Sequence, residues 1–190
     1  MVEHAKIVEE INKEGVFLRK ITKADMEFVF KSLNDNVITN YLSLGPIETI
    51  EHSKRLIKGY LKYWEGYLQF NYIIEIQGIQ GIDKEKIGSV SLWNISWQHY
   101  RSQIGIWIIP SYWGKGIGEK ALNLIKIIAF HHLKLNRLEA YIAIENDRSI
   151  NLFEKCNFQK EGILHQYLKF KGTYHDAILM ACFKNSMITI

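Results

Sequence analysis

The chain has 190 residues, with 24 Lys and Arg against 20 Asp and Glu and a net charge of +4 at pH 7. Hydrophobic residues make up 47% and aromatic residues 13%, too much apolar surface to leave solvated, which excludes disorder as the main state. Only Cys156 and Cys182 are present in a chain long enough to bury a core, which excludes a disulfide scaffold.

The basic residues are scattered among acids rather than gathered in a block, so they read as mixed surface and not as a nucleic-acid face. No stretch is long and apolar enough to span a membrane. The segment Met1–Gly15 carries acids and lacks the apolar core of a signal peptide. A cytoplasmic protein with reduced thiols is the expectation. With two prolines, no Gly/Ser-rich linker and no repeat, residues 1–190 read as one domain.

Val2, Ala5, Val8 and Ile11 fall on one helical face, so residues 1–14 predict a short helical extension stopped at Gly15. Val16–Lys20 reads as a strand. Thr22 then caps a helix whose apolar face is Met26, Val29, Phe30 and Leu33. A turn at Ser43–Pro46 leads into a second helix, about Glu48–Glu65. Asn71–Gln77 and Lys86–Trp93 are Ile/Val/Tyr-rich and flank Gly78, Gly81 and Asp83, the pattern of a hairpin. Asn94–Ser102 reads as a polar loop with aromatic residues, and Gln103–Ile109 as a strand stopped by Pro110. Trp113–Gly118 opens a helix running to about His132. A strand at Arg137–Ile144, a short helix at Arg148–Cys156 and two strands joined at Lys171-Gly172 complete the chain. The pattern is α+β with a mostly antiparallel sheet and at least one strand–helix–strand crossover.

Gly114-Lys115-Gly116-Ile117-Gly118, between a buried strand and a helix, is the sharpest local signal. The first turn of such a helix has N–H groups with no intrahelical partner, and glycines let a phosphate approach them. The same turn also serves as a plain tight connection. A Walker-type loop fails because no Ser or Thr follows the lysine, and the dinucleotide fingerprint fails on glycine spacing.

The run Trp113–Gly118 resembles the acetyl-coenzyme A turn of the GNAT N-acetyltransferase superfamily. The Trp-Gly-Lys-Gly form is similar to its RimJ/RimL-like branch. Downstream, Asn146, Ser149, Glu154, Lys155 and Phe158 stand at the spacing of the superfamily's Asn-x-x-Ser/Ala-x-x-x-Tyr/Phe-Glu-Lys-x-Gly-Phe pattern. The tail Gly172-Thr173-Tyr174-His175-Asp176 resembles its ending. The resemblance covers about Gly15 to Lys184.

It implies a GNAT fold with a sheet of about six or seven strands. The strands near Gln103–Ile109 and Arg137–Ile144 would splay to admit the pantetheine arm of acetyl-CoA. The coenzyme-binding residues it implies are Trp107, Ile108, Trp113, Gly114, Lys115, Gly116, Ile117, Gly118, Asn146, Asn151 and Lys155. The catalytic candidates are Ser149 and Asp176. Ser149 is either an acid or positioning group or part of a helix cap, and Asp176 is either an acceptor-side acid or a structural ion pair.

Four departures stand out. Trp113 replaces Gln or Arg, Phe153 replaces a Tyr proposed to protonate the leaving thiolate, Gln103 replaces a Glu that relatives often carry, and Asn157, which tolerates left-handed geometry, replaces the usual Gly. Glu139 and Tyr141 share a strand face as weaker candidates. No His/Cys/Asp spacing resembles a metal site. The implied reaction is acetyl transfer to a primary amine, either a protein N-terminus or a small amine such as a polyamine, amino sugar or amino acid, by a monomer or homodimer. Because of the departures, a non-catalytic coenzyme A binder stays open as an alternative, and a nucleotide binder more remotely.

Overall fold

A computed structural model describes residues 7–42, 44–78 and 83–187. The strands form one eight-stranded sheet in the order β1-β2-β3-β4-β5-β6-β8-β7. They are β1 Glu10–Lys13, β2 Val16–Lys20, β3 Phe70–Gln77, β4 Lys84–Ser96, β5 Arg101–Ile108, β6 Arg137–Ala143, β7 Gln159–Phe170 and β8 Thr173–Phe183. The helices are α1 Met26–Leu33, α2 Asn36–Thr39, α3 Ile50–Glu65, α4 Ile117–Ile127 and α5 Asp147–Lys155.

The eighth strand corrects the reading of the N-terminus. Val2 and Ala5 lie outside the described residues, but Glu10–Lys13 is a strand paired with β2 and not a helix. Glu14 and Gly15 both take positive φ (52° and 77°), the geometry of a two-residue hairpin turn that matches strand twist. Gly15 therefore turns a hairpin instead of ending a helix. The same device, at Lys171 (φ 50°) and Gly172 (φ 79°), joins β7 to β8 where the sequence predicts a joint.

The expected loop Asn94–Ser102 is mostly strand: β4 runs to Ser96 and β5 starts at Arg101. The four-residue helix α2 was not anticipated; Asp35 caps it by accepting from the Val37 N–H at 2.7 Å. Ser43 and Gly81, both used in the sequence reading, lie outside the described residues.

Apolar residues divide between the two faces of the sheet. One face carries α4, the helical turn Ile128–His132 that continues it, and α5, with Leu122, Ile125, Phe130 and Phe153 in one buried cluster with Phe70, Tyr72 and Leu92. The other carries α1 and α3, with Val29, Leu33 and Ile57 packed on Ile21 and Ile73. Cys156 and Cys182 are buried thiols not joined by a disulfide, and burial pushes the Cys156 thiol up to about 12.

Beside the second face lies a buried ionic network. Arg19 makes two contacts to Asp25 (2.7 and 2.8 Å) and one to Glu75 (2.8 Å), and Lys86 reaches Asp25 at 2.7 Å. Asp25 is 0% exposed and Glu75 6%. Burial works to raise the Asp25 carboxyl, but the Arg19, Lys86 and Thr22 hydrogen bonds outweigh it and hold the group well below the usual carboxylate range.

All neighbouring strands are antiparallel except β5 and β6. These two pair only at Arg101↔Arg137, Ser102↔Leu138 and Gln103↔Glu139, and then separate. β5 continues to Ile108 and β6 to Ala143, so a gap opens inside the sheet, as the resemblance implies.

Candidate active site

The gap between β5 and β6 leads into a cavity of about 860 Å³. Ile106, Trp107 and Ile108 form one wall, the turn Trp113–Glu119 (without Lys115) a second, and the start of α5 a third. Asn36–Leu42 (without Thr39) and Lys171 lie over the far end.

Strand geometry decides which backbone groups face the gap. The Ile109 N–H donates to the Ile87 carbonyl on the β4 side. Alternation along a strand then turns the N–H and C=O groups of Ile106 and Ile108 toward β6, and those of Trp107 toward β4. Two bonds agree. The Tyr100 carbonyl, in the same phase, accepts from Asn136 and Arg137 ahead of β6, and the Ile108 carbonyl accepts from the Trp113 indole N–H at 2.6 Å.

In the glycine turn, Gly114 (φ 72°) and Gly116 (φ 75°) are left-handed, which a side chain disfavours, and Gly116 caps α4. A Cβ on either would meet nothing within 4 Å, so the turn presents bare backbone to open space. The first N–H groups of α4 have no intrahelical acceptor and point the same way.

Gly118 differs. A Cβ there would lie 3.1 Å from Leu152 Cδ2 and 3.5 Å from Ile108 Cδ1. This glycine lets α4 approach α5 closely, and ligand access is not what requires it.

At the start of α5, Asn146 Oδ1 accepts from the Ser149 N–H at 3.2 Å. The cap therefore uses the Ser149 backbone, and the half-buried Ser149 side chain lines the cavity. Asn151 and Lys155 line it one turn apart. Phe153 is turned into the core, 2% exposed and edge-on to Phe158 at 4.9 Å.

Several sequence candidates stand elsewhere. The Lys115 ammonium sits over the Tyr112 ring at 4.8 Å and does not line the cavity. Asp176 lies outside the cavity too. It accepts from the Gln166 N–H at 2.8 Å and contacts His165 Nδ1 at 2.8 Å, and these two partners lower its carboxyl below the ordinary value. Glu139, beside the last paired position, is held by Arg137 (2.6 Å), Arg101 (3.2 Å) and the Tyr141 hydroxyl (3.1 Å). Burial works to raise its carboxyl, and the Arg137 and Tyr141 hydrogen bonds keep it lowered. Two flanking cations make it a poor proton acceptor.

The structure also brings in residues that the sequence reading passed over. Arg148 lies face-on over the Trp113 ring at 3.7 Å. Lys171, at the β7–β8 turn, donates to Asn40 Oδ1 across 131 residues of sequence. Glu145 lines the cavity with His175 Nδ1 at 3.5 Å. Arg148 and Glu145 flank the Asn146 motif and were within reach of a sequence reading. The Lys171–Asn40 contact had no local signal.

Residues 16–159 match the acetyltransferase (GNAT) domain. The chain belongs to the GNAT acetyltransferase family. It is 30% identical over 166 residues to the uncharacterized N-acetyltransferase YoaA of Bacillus subtilis (strain 168), spanning 87% of this chain and 92% of that one. It is similar to the crystal structure of spermidine N-acetyltransferase from Vibrio cholerae in complex with CoA and spermine, with TM-score 0.81, 25% identity, and 93% and 100% of the two chains covered. Mycobacterium smegmatis RimJ in complex with CoA-disulfide shares the fold, with TM-score 0.83, 21% identity, and 92% and 84% covered.

This GNAT protein is an N-acetyltransferase with acetyl-CoA as co-substrate. Its cavity suits that molecule. Bare backbone at α4 suits phosphate, and an open strand edge suits the amide-bearing pantetheine arm. Among the described residues, no three His, Cys, Asp or Glu side chains gather to hold a metal ion, and no helix is long and apolar enough to cross a membrane.

Proposed function

We propose that the acetyl group passes by direct attack to a primary amine held at the far end of this cleft, with a protein N-terminal amine as the acceptor. The carrying observation is that the β5–β6 gap, the α4 N-terminus and the Asn36–Leu42 segment open onto one cavity. Acetyl-CoA supplies an activated thioester. The α4 N–H groups with Gly114 and Gly116 hold phosphate, while Asn146, Asn151 and Lys155 line its path. The N–H groups of Ile106 and Ile108 both face the gap and stand about 6.6 Å apart, so one of them donates to the carbonyl oxygen as negative charge builds on it. Trp107 contributes its side chain as a wall, since its own N–H faces β4.

Ser149 positions or protonates the leaving sulfur, a role left open by the turned-in Phe153. We assign Asp176 no contact with the reactants. Glu139, at the last paired position, is held by two cations, so the incoming amine loses its proton to water, and alignment carries much of the rate. We further read residues 1–190 as one domain.

Charge supports the choice of acceptor. The cavity lining sets Glu119, Glu145 and Asp147 against Arg148, Lys155 and Lys171, so it offers a polycation no net negative charge. The likeness to spermidine acetyltransferases favours a second reading, a small polyamine acceptor.

Thiol release, measured over N-terminal peptides, polyamines, amino sugars and amino acids, tests both, with mass spectrometry identifying the products. Peptide turnover above polyamine turnover is the expected result. Polyamine preference overturns the acceptor. Coenzyme A binding with no turnover on any amine would mean that this family member has lost the reaction. In the same assay, Ser149→Ala is expected to lower turnover at least about tenfold with the melting temperature unchanged; full turnover removes Ser149 from the reaction.

A further inference from the structure

We propose that Arg148, stacked on Trp113, is the pre-placed cation that reads a phosphate group of coenzyme A in this cleft. This rests on the binding mode proposed above.

Trp113 is uncharged but firmly held. Its indole N–H donates to the Ile108 carbonyl at 2.6 Å, and its backbone N–H donates to Pro110 O at 3.1 Å. The ring is therefore fixed relative to both β5 and the glycine turn. Arg148, in the first turn of α5, lays its guanidinium over that ring at 3.7 Å. Face-on stacking occupies only the flat side of a guanidinium. Its N–H groups lie in the plane, at the edge, and remain available to phosphate oxygens in the paired geometry that suits them. Stacking also removes side-chain freedom that binding would otherwise have to remove.

The other cations around the cavity are placed less well. Lys115 is turned onto Tyr112, outside the lining, and Lys171 is engaged with Asn40 at the opposite end. Lys155 is exposed on a flexible four-carbon stem. Among the described residues, Arg148 makes no ion pair that would compete with a ligand. Arg148, Trp113, Gly114 and Gly116 line the same space, so the guanidinium and the α4 N–H groups converge on one anion.

Coenzyme A offers two phosphate sources, its diphosphate and its 3′-phosphate. Calorimetric titration with coenzyme A, 3′-dephospho-coenzyme A and pantetheine separates them without requiring turnover. Arg148→Gln is expected to weaken coenzyme A binding about tenfold and to leave pantetheine binding unchanged. A matching loss with 3′-dephospho-coenzyme A assigns the contact to the diphosphate, and no loss with that ligand assigns it to the 3′-phosphate; both support the proposal. Trp113→Leu should reproduce most of the loss, and the double variant should bind no worse than Arg148→Gln alone. Arg148→Lys should recover only part, because an ammonium lacks the planar fork.

Wild-type coenzyme A affinity in Arg148→Gln overturns the proposal, as does an equal loss with pantetheine. Failure of the wild-type protein to bind coenzyme A would overturn the binding mode itself. Arg148 is exposed, so its variants are expected to fold, and thermal unfolding of each checks this.

Discussion

The sheet is finished on one side and left open on the other. β3 and β4 stay paired from Phe70↔Leu92 to Gln77↔Lys84, and the Arg19–Asp25–Glu75–Lys86 network lies against them. β5 and β6 pair only from Arg101↔Arg137 to Gln103↔Glu139 and then leave their facing edges unpaired. Unpaired backbone gives up strand–strand hydrogen bonds, and those same groups are what a coenzyme can use. The contrast teaches that stability and binding draw on different residues here, so substitutions should separate into two classes.

The largest effect belongs to the closed side. Asp25→Ala leaves Arg19 with Glu75 alone, takes the carboxylate from part-exposed Lys86 and removes the acceptor of the Thr22 N–H, and is expected to cost about 2–3 kcal/mol. In a chain of this size that lowers the melting temperature by roughly 10 °C. The Michaelis constant for acetyl-CoA should not move at temperatures where the variant is folded; a shift would mean the two sides are coupled. The pH dependence follows from the depressed Asp25 carboxyl. Its folded value lies below its unfolded value, so its stabilisation is complete above about pH 4 and drains away as the pH falls toward the folded value. Denaturant unfolding between about pH 5 and 3 should therefore show a shallower decline in Asp25→Asn than in the parent. Equal slopes would exclude Asp25 from the acid response.

The glycine turn sharpens the contrast within itself. Gly116→Val should raise the acetyl-CoA Michaelis constant by at least about tenfold, with a stability cost of only about 1–2 kcal/mol from left-handed strain. Gly118→Val should lower stability and coenzyme affinity together, because its side chain collides with Leu152 between the helices. Identical behaviour of the two variants would show that both glycines serve packing.

Lys126 is a smaller test. Its ammonium is buried and donates to the Cys156 carbonyl at 2.8 Å, at the C-terminal end of α5. Lys126→Met should cost about 1–2 kcal/mol in thermal unfolding through the lost cap and dipole contact. An unchanged melting temperature would mean water replaces it fully. Asn146→Ala should have the smallest effect on stability, about 1 kcal/mol. Because it sits on the open side, it should also raise the acetyl-CoA Michaelis constant. Loss of stability without a change in that constant would reduce Asn146 to a cap.

The turn Trp113–Gly118 was plain in the sequence, because closely spaced glycines between an apolar strand and a helix mark a backbone that must go left-handed, as Gly114 and Gly116 do. Asn146 was legible for a similar reason, as a capping amide at a strand–helix junction. Gly15 misled, since a helix end and a hairpin both call for positive φ, and only the partner strand decides between them. Gly118 was legible as part of the turn but not in its purpose, which depends on Leu152 from another helix. Asp176 matched in spacing, yet its carboxylate is bound by His165 and the Gln166 N–H of β7, outside the cavity. Arg148 over Trp113, and Lys171 on Asn40, are contacts between segments far apart in the chain, and no local periodicity encodes them.

The bond from the Trp113 indole to the Ile108 carbonyl also acts as a ruler. It engages the outermost carbonyl on the open edge of β5. Under the proposed binding mode, the next carbonyl facing the gap is that of Ile106, two residues or about 6.6 Å farther in. A ligand arm that pairs with this strand is thus directed past the entrance before it finds its first open acceptor. A tryptophan at the mouth of the cleft would in this way set the depth at which the reacting end of the substrate comes to rest.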